Sequence, residues 1–90
     1  MTSQFFSLFY LRRDATTPDG ARAGFSTPRA LGKAHDRNRV RRKLREAVRH
    51  EINKAPLQVD FIFHPRRNVL DAALPDLRRE VERVFLRCSP

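Results

Sequence analysis

GKAHDRNRVRRKLREAVRHEI, residues Gly32 to Ile52, decides how the rest of the chain is read. Its apolar positions Val40, Leu44, Val48 and Ile52 recur every four residues, and Ala47 widens the stripe. That period gives one apolar face on an amphipathic helix. Asp36 near the start suits the positive end of the helix dipole, and Arg45, Arg49 and His50 toward the end suit the negative one. Burying Val40 and Leu44 turns Arg37, Arg39, Arg41, Arg42, Lys43, Arg45 and Arg49 outward, because they fall outside the stripe. Arg37, Arg41 and Arg45 are successive i, i+4 neighbours, and like charges at that spacing destabilise an isolated helix by roughly 0.2 to 0.5 kcal/mol per pair. Only Glu46 and Glu51 are available locally to pair with this face, so an anionic partner is expected.

Upstream, Gln4 to Leu11 is aromatic or aliphatic apart from Gln4 itself and one Ser, which favours a strand with burial on both sides. Arg12 to Ala21 reads as a loop joining two strands, with Pro18, Asp19 and Gly20 supplying turn-compatible backbone angles. Arg22 to Thr27 is a second strand. Gly24 within it permits close backbone approach, and Pro28 marks the strand's end or an exposed edge. Downstream, Leu57 to Phe63 has strand character through Val59, Phe61, Ile62 and Phe63, and His64-Pro65 closes it. Leu77, Val81, Val84 and Phe85 then fall on one face of a second helix, starting near Leu74 with Pro75 in its first turn. The order β-β-α-β-α, without internal repeats, describes a single α+β domain over residues 1–90. It has a sheet of three or four strands packed with an Arg-rich helix and a C-terminal helix.

Ninety residues carry 19 Lys and Arg against 10 Asp and Glu, a formal charge of +9. A domain this small buries a modest core, and its charge repels itself unless a polyanion binds. Nucleic acid is the leading partner. Arg dominates over Lys on the helix, and its planar fork engages phosphate oxygens two at a time or stacks on bases. No apolar run approaches the roughly 20 residues of a spanning helix, so no membrane partner is expected. The apolar start lacks the charged leading region and cleavage site of a secretory signal. Cys88 is the lone cysteine, which excludes an intramolecular disulfide and fits a reducing cytoplasm.

The signs of protein-based catalysis are missing. His35, His50 and His64 are far apart and have no partner at metal-ligand spacing, which gives no metal site and leaves them as surface or capping residues. Asp60 and Glu46 each lack a second carboxylate to divide acid and base roles, so both read as structural ion-pair partners. There is no phosphate-binding G-x-x-x-x-G-K-[ST] loop. No catalytic residue is assigned.

The string Arg37-Asn38-Arg39, followed by Val40-Arg41-Arg42-Lys43-Leu44-Arg45-Glu46-Ala47, resembles the RNR signature of the bacterial ribonuclease P protein. The likeness extends upstream through Arg22 to Thr27 and Leu31 to Ala34, and downstream through Val59 to Phe63 before Pro65-Arg66. It implies a fold like the second domain of ribosomal protein S5, with an unusual left-handed βαβ crossover. It also implies a non-catalytic protein subunit of ribonuclease P that binds the catalytic RNA and precursor tRNA. The RNA would hold magnesium and remove the 5′ leader, with no obligatory protein partner.

By the same resemblance, Arg37, Asn38, Arg39, Arg41, Arg42 and Arg45 contact the RNA subunit. Phe9 or Tyr10, with Arg29 and Lys33, contacts the leader in a cleft beside the helix. Alternate strand residues face opposite sides, so only one of Phe9 and Tyr10 can line that cleft. The family normally begins with a basic, aromatic helix packed on the sheet, and this chain begins after it. Either its start is assigned late or the helix is missing, and part of the sheet then exposes an apolar patch. Pro28, Ala30 and His35-Asp36 are smaller departures from the family pattern. A ribosomal protein or RNA chaperone is the main alternative. A DNA-binding regulator would need a companion helix and a dimer, and a protein nuclease would need clustered carboxylates or histidines.

Overall fold

The computed structural model describes residues 1–13, 20–56 and 58–88. Three strands, β1 (Phe6–Arg12), β2 (Arg22–Phe25) and β3 (Val59–Pro65), form one sheet in the order β1-β3-β2. β1 runs antiparallel to β3 with Phe9 opposite Ile62, and β2 runs parallel to it with Gly24 opposite Ile62. The long helix α1 (Ala34–Glu51) is the connection that parallel pairing demands between β2 and β3. Helix α2 (Leu74–Cys88) follows β3 and packs on α1.

Alternation along β3 shows where the core sits. Val59, Phe61 and Phe63 are buried among Val40, Leu44 and Val48 of α1 and Leu77, Val81, Val84 and Phe85 of α2. Each such side chain contributes about 1.5 to 3 kcal/mol on leaving water. Phe63 gathers a ring cluster, edge-on to Phe6 at 5.2 Å and stacked with Phe25 at 5.6 Å. Both helices lie on this one face of the sheet.

Several expectations are corrected. β1 is not buried on both sides: Phe6 and Leu8 enter the core, but Phe9, Tyr10 and Leu11 are 62%, 46% and 72% exposed. No element among the described residues covers the face that Phe9 and Leu11 share. His64 and Pro65 do not close β3 but continue it, opposite Ser7 and Phe6. β2 stops at Phe25, although the Ser26 N–H still donates to Phe63 O at 2.9 Å. Pro28 follows the strand and caps a short 3₁₀ segment, Arg29–Leu31. Gly24 meets a side chain rather than backbone, since a Cβ there would lie 3.2 Å from Ile62 Cδ1. The expected turn residues Pro18 and Asp19, and Leu57 at the expected start of β3, lie outside the described residues.

Gly32 has φ 134°, and a Cβ there would fall 2.6 Å from an Arg67 guanidinium nitrogen. Both constraints favour glycine. That guanidinium reaches across from the 3₁₀ segment Arg67–Asp71 to donate to Leu31 O at 2.9 Å. It holds the entry to α1 in place.

Candidate nucleic-acid interface

The stripe of Val40, Leu44, Ala47 and Val48 is buried, and this burial aims the arginines of α1. Arg39, Arg42 and Arg45 are exposed, while Arg37 and Arg41 are half-buried. Among the described residues, none of the five has a carboxylate within 4.0 Å. The two local carboxylates are spent elsewhere. Glu46 pairs with Arg49 at 2.7 Å and His50 at 3.0 Å. Glu51, only 2% exposed, turns inward to Lys54 and to Arg78 of α2, each at 2.8 Å. The expectation that Glu51 could neutralise the basic face is therefore corrected. Lys43 is not free either: its ammonium donates to Leu70 O at 3.0 Å.

Two of the arginines are held by β2 and the segment after it. The Arg45 guanidinium carbon lies 5.7 Å from the centre of the Phe25 ring, a cation–π distance. Arg41 donates to Thr27 Oγ1 at 3.3 Å and to Asn38 Oδ1. Arg37 has its Nε buried without a hydrogen-bond partner among the described residues. Arg39 and Arg42 have no hydrogen-bond or ion-pair partner there. The result is a graded row of cations, some oriented and some free.

The uncovered sheet face lies on the far side of the core. Pairing places Phe9 beside Ile62 and Leu11 beside Asp60, with Ser7 beside His64. The Phe9 ring meets His64 edge-on at 5.1 Å. Ile62 is 42% exposed. Phe9, Tyr10, Leu11, Asp60 and Ile62 line a shallow, mostly apolar depression. Phe9 points to the open face, whereas Tyr10 leans toward Phe61 of the core at 6.3 Å. Arg29 and Lys33 are exposed at the entry to α1.

Ion pairs account for the carboxylates that could otherwise suggest chemistry. Asp60 accepts from Arg22 Nε at 2.8 Å and Nη2 at 3.0 Å, and from Arg13 at 3.0 Å. The Arg22 hydrogen bonds hold its carboxyl below the usual value. Hydrogen bonds from Lys54, then Arg78, do the same for Glu51 against the opposing effect of burial. Such groups stay ionised and cannot act as general acids near neutrality. Burial pushes the Cys88 thiol up, away from the reactive thiolate. No group of three or more His, Cys, Asp or Glu among the described residues could hold a metal ion. No helix there is long and apolar enough to cross a membrane.

The family profile described as Ribonuclease P matches residues 1–89. The chain belongs to the ribonuclease P protein family. The ribonuclease P protein component of Symbiobacterium thermophilum is 42% identical over 79 residues, which cover 88% of this chain and 67% of that protein. That of Chloroflexus aggregans is 42% identical over 68 residues, covering 74% and 50%, and that of Finegoldia magna 34% over 70, covering 78% and 62%. The chain thus spans about half to two thirds of the length of these relatives. The RNase P protein from Thermotoga maritima superposes with a TM-score of 0.83 at 21% identity, covering 100% of this chain and 83% of that one. The Staphylococcus aureus RNase P protein gives 0.71 at 24%, covering 93% and 74%. At these identities the structures speak for the shared fold.

Within this ribonuclease P fold, Arg37, Asn38, Arg39, Arg41, Arg42 and Arg45 all lie on α1, where Arg37, Arg41 and Arg45 are successive i, i+4 neighbours and Asn38, Arg42 and Arg39 extend the basic surface around the helix. Phe9 and Tyr10 start from opposite faces of β1, yet both border the shallow depression, so the expectation that only one of them can line a cleft is not met there; neither shares that depression with Arg29 or Lys33. Thr27, Phe25, Ile62 and His64 were missed. For Ile62 and His64 the signal was available, since strand alternation puts both on the face opposite Phe61 and Phe63. For Thr27 and Phe25 it was not, because their contacts with Arg41 and Arg45 join separate elements.

Proposed function

We propose that the chain acts as the protein subunit of a ribonuclease P ribonucleoprotein in the cytoplasm, with α1 against the catalytic RNA. The single observation that carries this reading is the row Arg37, Arg39, Arg41, Arg42 and Arg45, which no described carboxylate neutralises. Phosphates would complete the pairing that the protein leaves open, and each neutralised phosphate releases counterions. The open face around Phe9 and Ile62 supplies an apolar platform for the single-stranded 5′ leader of precursor tRNA, on which bases can stack. Arg29 and Lys33 add charge for the leader's backbone. Hydrolysis at the mature 5′ end of the tRNA belongs to the RNA and its magnesium.

The test is cleavage of precursor tRNA by a bacterial RNase P RNA at low magnesium. The arms are RNA alone, RNA with this chain, and RNA with a variant in which Arg37, Arg39, Arg41 and Arg42 are Ala. Stimulation by the chain and its loss in the variant are expected. Binding without stimulation would favour general structured-RNA binding, as in a ribosomal protein or RNA chaperone.

A further inference from the structure

We infer that Asn38 and Thr27 are positioning residues, which hold the Arg41 guanidinium in a fixed orientation for RNA rather than contacting RNA themselves. This rests on the proposed role of α1 and adds a division of labour among its cations. The two terminal nitrogens of Arg41 are taken by different acceptors, Nη1 by Thr27 Oγ1 at 3.3 Å and Nη2 by Asn38 Oδ1. A guanidinium pinned at both tips loses its rotational freedom about the end of the side chain. It still keeps unused N–H donors, since each acceptor takes only one. The remaining part of the fork can meet a phosphate.

The supports are themselves anchored. Asn38 is one turn before Arg41 on α1, so helix geometry fixes its reach. Thr27 lies two residues past β2, and the hydrogen bond from Ser26 N to Phe63 O keeps the chain in register with β3 up to that point. Arg39 and Arg42, by contrast, have no partner among the described residues. They must be ordered when RNA arrives, which costs roughly 0.5 to 1.5 kcal/mol for each immobilised long side chain. Arg41 has met that cost on folding. Asn38 has its carbonyl oxygen committed to Arg41, while its Nδ2 keeps two donors, so the double variant with Arg41→Ala is what separates support of that arginine from a direct contact with RNA.

The test is equilibrium binding to a transcribed bacterial RNase P RNA at fixed salt, for the unsubstituted chain, Asn38→Ala, Thr27→Val, Arg41→Ala and the two doubles that combine Arg41→Ala with each of the others. Asn38→Ala and Thr27→Val each weaken binding about two- to tenfold, the cost of ordering one free Arg. In the Arg41→Ala background both effects disappear. Thermal melting provides the readout that a merely structural role would not reproduce. Ala has the higher helix propensity, so Asn38→Ala melts at or above the unsubstituted chain while binding more weakly. A loss from Asn38→Ala that persists in full without Arg41 overturns the inference, because Asn38 would then touch RNA directly. Equal affinity of the single variants and the unsubstituted chain also overturns it. If the unsubstituted chain fails to bind this RNA, the proposed function falls first, and this inference falls with it.

Discussion

Helices α1 and α2 are both amphipathic and both rich in arginine, yet they treat their charges in opposite ways. On α2, Arg78 pairs with Glu51 at 2.8 Å, Arg79 with Asp76 at 3.6 Å and Arg83 with Glu80 at 3.1 Å. On α1, the five arginines from Arg37 to Arg45 have no carboxylate within 4.0 Å among the described residues. The difference lies in the placement of carboxylates. Asp76, Glu80 and Glu82 are interleaved with the α2 arginines, whereas α1 has none between Asp36 and Glu46. A helix whose arginines are met by carboxylates, its own or a neighbour's, needs no polyanion, and one that leaves several like charges unmet is stabilised by binding one.

The strongest way to break this contrast is to remove the charges of each helix in turn. Changing Arg37, Arg39, Arg41 and Arg42 to Ala should weaken binding to RNase P RNA by about 100-fold or more, from the loss of several charge-assisted contacts. The change of Arg79, Arg83 and Arg87 of α2 to Ala, which removes three charges instead of four, should leave affinity within a few-fold. Filter binding or a mobility-shift titration at one salt concentration checks both. Comparable losses from the two variants would show that total charge, and not the unpaired row, carries binding.

The two faces of β1 sharpen the comparison at the leader. Phe9→Ala should reduce affinity for precursor tRNA with a 5′ leader by about 1 to 3 kcal/mol, the usual loss of one stacked base. It should leave affinity for leaderless tRNA unchanged. Tyr10→Ala, on the side leaning toward Phe61, should show little dependence on the leader. A leader-specific loss at Tyr10 and none at Phe9 would reverse the assignment of the open face.

Glu51 ties the two helices together, and its effect should appear in stability rather than in binding. Its carboxyl is held below the ordinary value in the folded chain, so the stabilisation is present above the unfolded carboxylate pKa and is lost as pH falls through the folded one. Glu51→Gln should cost about 1 to 2 kcal/mol at neutral pH, moderated because the Lys54 and Arg78 side chains reach water. Denaturant melts should show that difference shrinking in the acid range below the ordinary glutamate value. A constant difference across pH would mean that packing, not charge, is what Gln disturbs. The smallest effect is expected at Arg79 or Arg83 singly, where exposed i, i+3 pairs contribute at most about 0.5 kcal/mol of stability.

Much of this was legible in the sequence. The four-residue recurrence of Val40, Leu44 and Val48 places α1 and aims its arginines, because helix period alone determines which side chains share a face. Leu77, Val81, Val84 and Phe85 place α2 for the same reason. β1 was harder, since the run Phe5 to Leu11 is apolar at nearly every position and contains no alternation to mark an exposed side. What lies over a sheet face is decided by other elements, and here both helices chose the same one. The order β1-β3-β2 also depends on partners distant in sequence. The clamp on Arg41 needed the position of Thr27, which follows from the parallel pairing of β2 with β3 and from no local pattern.

The most direct test of the central claim is the salt dependence of binding to RNase P RNA, measured over a NaCl series for the unsubstituted chain and for the variant lacking Arg37, Arg39, Arg41 and Arg42. A steep linear fall of log K with log salt is predicted, with a slope smaller in magnitude by about three in the variant, as the loss of four phosphate contacts requires. The same slope for both proteins would contradict the account, because the unpaired arginines of α1 would then not be the groups that meet the RNA.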